Sequence, residues 1–297
     1  MDKELGFQVE SLEQRRLMAV DVDVVGSTLR VQGDGADDIV QVFGNESEGA
    51  VGVRIGTDDP VHFTGIRSVR IDLQGGDDAL TVSGLQIADD LDVRTGDGAD
   101  SFYMNNEPPY TSFVDVQIGD DVRVNMGNDV GDRVVWQTLP DFGKFIRVED
   151  DVTIRGAASV IMVGHGPVNG DSTVNFEAED IRIGDRLQIS ISDKRGDSMY
   201  GPPEIELRNV NMFGNTRLNG SRAADEVILA FSNFHDDFTV NTRGGDDVVV
   251  FTEATRFGDR SRFSAGSGLD TLGNQANRVL ASSFRDHSFE FVVTFDV

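Results

Sequence analysis

Acidic side chains are the main chemical resource of this sequence, with 52 Asp and Glu against 26 Lys and Arg. Many sit in short glycine-rich runs: Gly33-Asp34-Gly35, Gly75-Gly76-Asp77-Asp78, Gly96-Asp97-Gly98, Gly244-Gly245-Asp246-Asp247, and Gly266-Ser267-Gly268 just before Asp270. In a turn, a carboxylate accepts hydrogen bonds from N–H groups that no strand partner reaches, while glycine supplies positive φ without steric cost. In pairs, carboxylates can do acid–base work on a glycosidic bond. Asp236-Asp237 and Asp246-Asp247, with Arg243 as a base, are the candidates. Such acids recur throughout the chain, so no pair is singled out, and turn capping explains them better. The four histidines, His62, His165, His235 and His287, are scattered and lack metal-ligand spacing. Neither a G-x-S-x-G elbow nor a P-loop occurs. Zero cysteines exclude disulfides, thiolate metal sites and a thiol nucleophile. The expectation is a protein that is not an enzyme. The alternative is a carbohydrate-active enzyme, a polysaccharide lyase or hydrolase, built on a β-helix.

These residues need a scaffold, and composition narrows it. The 297 residues carry a formal net charge of -26, and lysine occurs only at Lys3, Lys144 and Lys194. That charge repels nucleic acid and anionic membrane, attracts cations and favours solubility. Glycine is abundant at 33 and proline scarce at 7, which suits many tight turns between short strands. No apolar run reaches the ~18 residues of a membrane span, so no transmembrane segment is expected. The first residues also lack the continuous apolar core of an ordinary secretory signal.

An internal repeat decides the fold. Two alternating apolar residues, a six-residue polar turn, an Asp and two more alternating apolar residues recur along the chain. Leu29, Val31, Asp38, Val40 and Val42 fit, as do Val69, Ile71, Asp78, Leu80 and Val82. Leu91, Val93, Asp100, Phe102 and Met104 make a third copy, and Phe238, Val240, Asp247, Val249 and Phe251 a fourth. Looser copies run through Leu218, Asp225, Val227 and Leu229, and through Phe263, Asp270 and Leu272. Two with a longer turn run through Val122, Val124, Asp132, Val134 and Trp136, and through Leu187, Ile189, Asp197 and Met199. A degenerate copy without the Asp is placed at Val152, Ile154, Ile161 and Val163.

Alternation with period two on both sides of a turn means strands. A repeat of this size cannot bury its own inward face, so successive repeats must stack into a shared core. Short apolar segments before each copy, at Ile87, Val116 with Ile118, Ile146 with Val148, and Ile181 with Ile183, supply a third strand per coil. The expected fold is all-β: a right-handed parallel β-helix, or solenoid, of about nine or ten coils and ~45 Å in length. A β-sandwich is the alternative. The repeat domain is placed at 23–297, with the alternating tail Phe289, Phe291, Val293 and Phe295 as a final or capping strand. Residues 1–22 are set apart.

Two resemblances add to this. Gly33-x-Gly35-x-Asp37, Gly96-x-Gly98-x-Asp100 and Gly266-x-Gly268-x-Asp270 resemble the G-G-x-G-x-D-x-U repeat of the RTX β-rolls. In those, turn carbonyls and Asp carboxylates of stacked turns coordinate calcium. The resemblance implies calcium as a cofactor, with Asp34, Asp38, Asp77, Asp78, Asp97, Asp100, Asp246, Asp247 and Asp270 as ligands. The match is partial: RTX repeats are uninterrupted nine-residue tandems, and Gln32 and Thr95 stand where the first glycine belongs. Near the N-terminus, Leu12-Glu13-x-Arg15-x-Leu17 resembles the L-E-P-R-x-L-L motif of large planctomycete surface proteins, with Gln14 in place of its Pro and Met18 in place of its second Leu. This implies export and an extracellular or cell-surface location. The same stretch also reads as an amphipathic helix capping the solenoid end. Together these give an exported structural or adhesive surface module, with surface polysaccharide or other envelope proteins as its partners.

Overall fold

The computed structural model describes residues 20–44, 47–105, 115–127, 129–138, 145–164, 181–193, 204–251, 255–258, 260–274, 283–287 and 291–294. Its strands form three long sheets, and consecutive strands go to different sheets, so the chain winds around one axis. The first sheet has 11 strands in the order Asp21–Val25, Thr28–Gln32, Ser68–Asp72, Leu91–Arg94, Val122–Asn125, Val152–Arg155, Leu187–Ser190, Thr216–Asn219, Phe238–Asn241, Arg260–Ser264 and Ser283–His287. The second has 12, running from the Val51–Ile55 and Val61–Phe63 pair through Ile39–Gly44, Ala79–Ser83, Ser101–Asn105 and so on to Phe291–Thr294. The third has 7, from Gln86–Ile87 to Arg256–Phe257. All pairings between successive coils are parallel and in register, as with Leu29↔Val69 and Phe102↔Val134. This is a parallel β-helix of ten coils, and the two facing antiparallel layers of a sandwich are absent from the described residues.

The register explains why the repeat folds this way. Template positions point inward and are fully buried: Leu29, Leu80, Leu91, Phe102, Val134, Trp136, Phe238 and Val249 among them. The third-strand residues Ile87, Val116, Ile118, Ile146, Val148, Ile181 and Ile183 are buried with them in one continuous core. Two local readings of the sequence are corrected. In the fifth coil the strand is Ser159–Val163, and Val160 and Met162 face the core while Ile161 and Val163 are half-exposed. The expected turn is missing there, so the strand starts sooner and its register slips by one residue. In the sixth coil Leu187 and Ile189 are buried as expected, but the second-sheet strand is Glu204–Arg208, with Ile205 and Leu207 inward. Asp197 and Met199 lie outside the described residues.

The end that opens the helix is closed by antiparallel strands. Asp21–Val25 folds back on Thr28–Gln32, and Val51–Ile55 folds back on Ile39–Gly44. An open parallel edge invites pairing with another chain, and these strands cover it. The strand Asp21–Val25 straddles the expected boundary at residue 22, and Val20 before it is fully buried, so the folded unit begins earlier than the sequence suggests. At the other end Phe291–Thr294 is the last parallel rung of the second sheet, hydrogen-bonded to Thr271–Asn274. It is a final strand rather than a cap across the core. The motif Leu12, Glu13, Arg15 and Leu17 lies outside the described residues.

Candidate functional site

The acids of the repeat gather along two corners of the solenoid. The first corner joins the first sheet to the second and contains the Gly/Asp turns. Its anchor aspartates Asp38, Asp78, Asp100, Asp132, Asp225, Asp247 and Asp270 are all at most 2% exposed. Five of these carboxylates reach the preceding coil, while Asp38 and Asp225 accept N–H groups of Asp34 and Ser221 in their own turns. The Asp78 Oδ1 accepts the Asp38 N–H at 2.8 Å, the Asp100 Oδ1 accepts the Asp78 N–H at 2.9 Å, and the Asp132 Oδ1 accepts the Asp100 N–H at 3.1 Å. Further on, the Asp247 Oδ1 accepts the Asp225 N–H at 2.9 Å, and the Asp270 Oδ1 accepts the Asp247 N–H at 2.9 Å. The backbone completes each link in the other direction, since the carbonyls of Asp38, Asp78 and Asp100 accept the N–H of Ala79, Ser101 and Arg133.

Burial dominates the electrostatics of this ladder. It pushes the carboxyls of Asp78, Asp132 and Asp225 up to about 7, against the opposing effect of the N–H donors. Asp38, Asp100 and Asp247 are raised for the same reason, with neighbouring carboxylates adding to it. The second oxygen, Oδ2, is buried without a hydrogen-bond partner in Asp78, Asp100 and Asp247. A proton on that oxygen removes the buried charge and leaves Oδ1 free to accept the N–H.

The glycines of this corner let the coils approach. A Cβ on Gly98 would lie 1.9 Å from the Gly76 carbonyl oxygen, and one on Gly268 would lie 1.7 Å from that of Gly245. Both residues also have positive φ, 138° and 146°.

The second acidic corner joins the third sheet to the first, and its ladder is wetter. The Asp90 Oδ1 accepts the Asp121 N–H at 3.3 Å, the Asp121 Oδ1 accepts the Asp151 N–H at 3.0 Å, and the Asp151 Oδ1 accepts the Arg186 N–H at 3.0 Å. Arginines attend it. Arg67 grips Asp89 with two bonds of 3.0 and 2.6 Å, Arg260 does the same to Asp237, and Arg123 meets Asp90, Asp92 and Asp121. Two triplets, Asp90 with Asp120 and Asp121, and Asp150 with Asp151 and Asp185, bring three carboxylates within reach of one ion. In the sequence Asp120-Asp121 and Asp150-Asp151 simply follow third-strand segments. Their convergence comes from stacking, which no single coil reveals.

Calcium at the first corner can be tested on this geometry. Of the nine expected ligands, Asp38, Asp78, Asp100, Asp247 and Asp270 are the buried anchors, and Asp34, Asp77, Asp97 and Asp246 stand exposed outside them. The exposed ones are partly committed: the Asp77 Oδ1 accepts the Ala99 N–H at 2.9 Å, and the Asp246 Oδ1 accepts the Leu269 N–H at 2.9 Å. The turn carbonyls of Gln74, Asp97 and Ser267 accept the N–H groups of Asp97, Gly76 and Gly245. Calcium takes six to eight oxygens. Buried anchors such as Asp78 and Asp100 offer only Oδ2, and the turn carbonyls named above are already engaged. The buried anchors by themselves therefore fall short of that shell and fit a proton better than calcium.

The two carboxylate pairs considered for glycosidic chemistry lie on different corners: Asp236-Asp237 precede the first-sheet strand Phe238–Asn241, and Asp246-Asp247 follow it across the Gly/Asp turn. Asp237 is held by Arg260, and the Arg243 guanidinium lies 3.7 Å from Asp193. His235 stacks on Phe213 at 4.7 Å, and Arg182 lies 4.3 Å from the Phe213 ring centre. Trp136 is fully buried in the core, as its template position predicts. His165, Tyr110 and Tyr200 lie outside the described residues. No family model matches the chain, and no curated protein or solved structure does.

Proposed function

We propose that this chain is an exported structural or adhesive module of a cell surface, with its solenoid acting as a stiff acidic rod. The observation that carries this reading is the use to which the acids are put. The buried carboxyls of Asp78, Asp100, Asp132, Asp247 and Asp270 are spent on joining coil to coil, rather than gathered around a groove. The N-terminal Leu12-Glu13-x-Arg15-x-Leu17 resemblance supports export, and the high charge suits a hydrated exterior. No helix among the described residues is long and apolar enough to cross a membrane. Calcium enters this reading only as a counter-ion of the exposed acids.

Antibody labelling of intact, unpermeabilised producing cells tests the location, and labelling that requires permeabilisation refutes it. Incubation with acidic and neutral polysaccharides tests the module against the enzyme. Release of new reducing ends or of unsaturated uronates would replace this reading with the carbohydrate-active one.

A further inference from the structure

The two acidic corners flank a surface of opposite sign. Outward positions of the first sheet form two columns across the coils. Arg30, Arg70, Arg123, Arg217 and Arg262 share one column, in register through Arg30↔Arg70, Asp92↔Arg123, Arg217↔Thr239 and Thr239↔Arg262. Arg94 and Arg155 share the other, with Asn125 between them. All seven arginines are exposed. The acids on this face, among the described residues, are Asp21, Asp23, Asp72 and Asp92, and Asp23 stands opposite Arg30 on the covering strand. Arg123 is engaged by its neighbouring aspartates, and Arg217 donates to the Asn219 Oδ1 at 3.2 Å. Arg30, Arg70, Arg94, Arg155 and Arg262 form no ion pair with any described residue.

In a chain with twice as many acids as bases, this is the reverse of what random placement gives. Arg30 and Arg70 are also direct neighbours on the ladder, an arrangement of like charges that costs stability unless an anion lies between them. Between the arginines stand small polar groups: Asn125, Thr153, Gln188, Ser190, Thr239 and Asn241. A shallow recess opens on this face at the third to fifth coils, with Asp92, Arg94, Arg123, Asn125, Thr153 and Arg155 among its lining.

We infer that the outer face of the first sheet binds a linear anionic polysaccharide, a polyuronate, laid along the solenoid axis. Guanidinium forks recognise carboxylates, and the interleaved amides and hydroxyls suit sugar hydroxyls. The repeat of the site matches the repeat of the ligand: coils rise by roughly 4.8 Å, about the advance of one pyranose in an extended chain. Nucleic acid fits less well. Bases bound as single strands stack on aromatic rings, and this face carries none among the described residues. A duplex would bring its phosphates against the flanking acidic corners as well. The inference rests on the reading of the chain as a surface module and gives that module its partner.

The test is fluorescence anisotropy with labelled oligogalacturonate on the full chain at low salt. Oligodextran and a thymidine oligonucleotide serve as competitors. The triple variant R70Q/R94Q/R155Q should weaken binding at least tenfold and leave the melting temperature unchanged. The pair R67Q/R260Q, which removes arginines held in the adjacent corner, should weaken it less than twofold. The single variants R94Q and R155Q keep the comparison valid if the triple variant folds poorly. Absence of oligogalacturonate binding overturns the inference, as does equal loss in both variant sets or tighter binding of the oligonucleotide. Failure there leaves the surface module intact. Shortening of the bound oligomer does the opposite, keeping the face but replacing the module by an enzyme.

Discussion

The two acidic corners use one residue type to link stacked coils and reach different electrostatic states. In the first corner the carboxylate belongs to the later coil and its N–H donor to the earlier one, as with Asp100 and Asp78. In the second corner the order is reversed, as with Asp90 and Asp121. The first is dry, crowded with its own kind and biased toward the neutral acid. The second is solvated and furnished with arginines. There the hydrogen bonds from Arg67 hold the Asp89 carboxyl below the usual carboxylate range, while desolvation and the neighbouring carboxylates raise that of Asp150, which no arginine among the described residues grips. An Asp ladder therefore has no fixed electrostatic character. Glycines bring the coils together at both corners, and it is the depth of burial of the carboxyl that differs.

The sharpest way to break this contrast is steric. Gly98→Ala places a Cβ against the Gly76 carbonyl at a strongly positive φ. We expect about 3 kcal/mol of destabilisation or a failure to fold, read by urea unfolding. Gly119→Ala in the second corner should cost much less. A Cβ there would also come close to a carbonyl, 2.3 Å from the Ala88 oxygen, but the φ of Gly119 is not positive, so the backbone strain of Gly98 is absent and the expected difference comes from that strain. Equal losses would show that this strain does not separate the corners.

Next in size is deletion of a rung. Asp100→Ala leaves the buried Asp78 N–H without an acceptor, and a cost of about 2 kcal/mol follows. Asp121→Ala removes the acceptor of the Asp151 N–H, but that group is partly solvated and water replaces the carboxylate. Its cost should stay under about 1 kcal/mol.

Acidity separates the corners without changing the fold. Asp78, Asp132 and Asp225 titrate near 7 when folded and near the ordinary 3.8 when unfolded. The folded state therefore binds more protons between those values, so stability falls as pH rises from about 4 to about 7 and levels off above that. The melting temperature should be higher at pH 5 than at pH 8. Repulsion within a chain of net charge -26 acts in the same direction, but salt screens it and leaves the buried carboxyls largely untouched. Asp78→Asn, which resembles the protonated acid in shape, should reduce the pH dependence in high salt. An unchanged slope would mean that the buried ladder is not its source.

Much of this was legible from the sequence because two signals coincide. Alternation gave the inward faces, and a fixed interval between Asp38 and Val31, or Asp247 and Val240, marked the corner. Where one signal fails the reading slips. The fifth coil has Ala158 instead of an anchor, and the register was missed by one residue there. The coil through Thr216 looked incomplete because its first inward residue is polar. In the folded protein Thr216 and Ser261 flank the Phe238 ring on neighbouring rungs, small beside large, and Phe238 packs with Phe234 at 4.5 Å and Phe257 at 4.9 Å. Such compensation between coils is invisible within a single repeat. The basic face was missed for the same reason: each arginine is ordinary in its own coil, and the column exists only after stacking.

The smallest expected effect concerns the ion that the turn motif brings to mind. If the first corner is a ladder of protons, calcium has no coordination shell to complete there. Calcium and EDTA should then shift the melting temperature by no more than magnesium does at matched ionic strength, because both act as counter-ions of exposed acids. A calcium-specific rise that disappears in Asp78→Asn but survives in Asp121→Ala would put the ion on the buried anchors and undo the assignment of protons to them. A rise that disappears only in Asp121→Ala would move the ion to the wet corner, where Asp90, Asp120 and Asp121 already converge, and would leave the distinction between the corners standing on firmer ground.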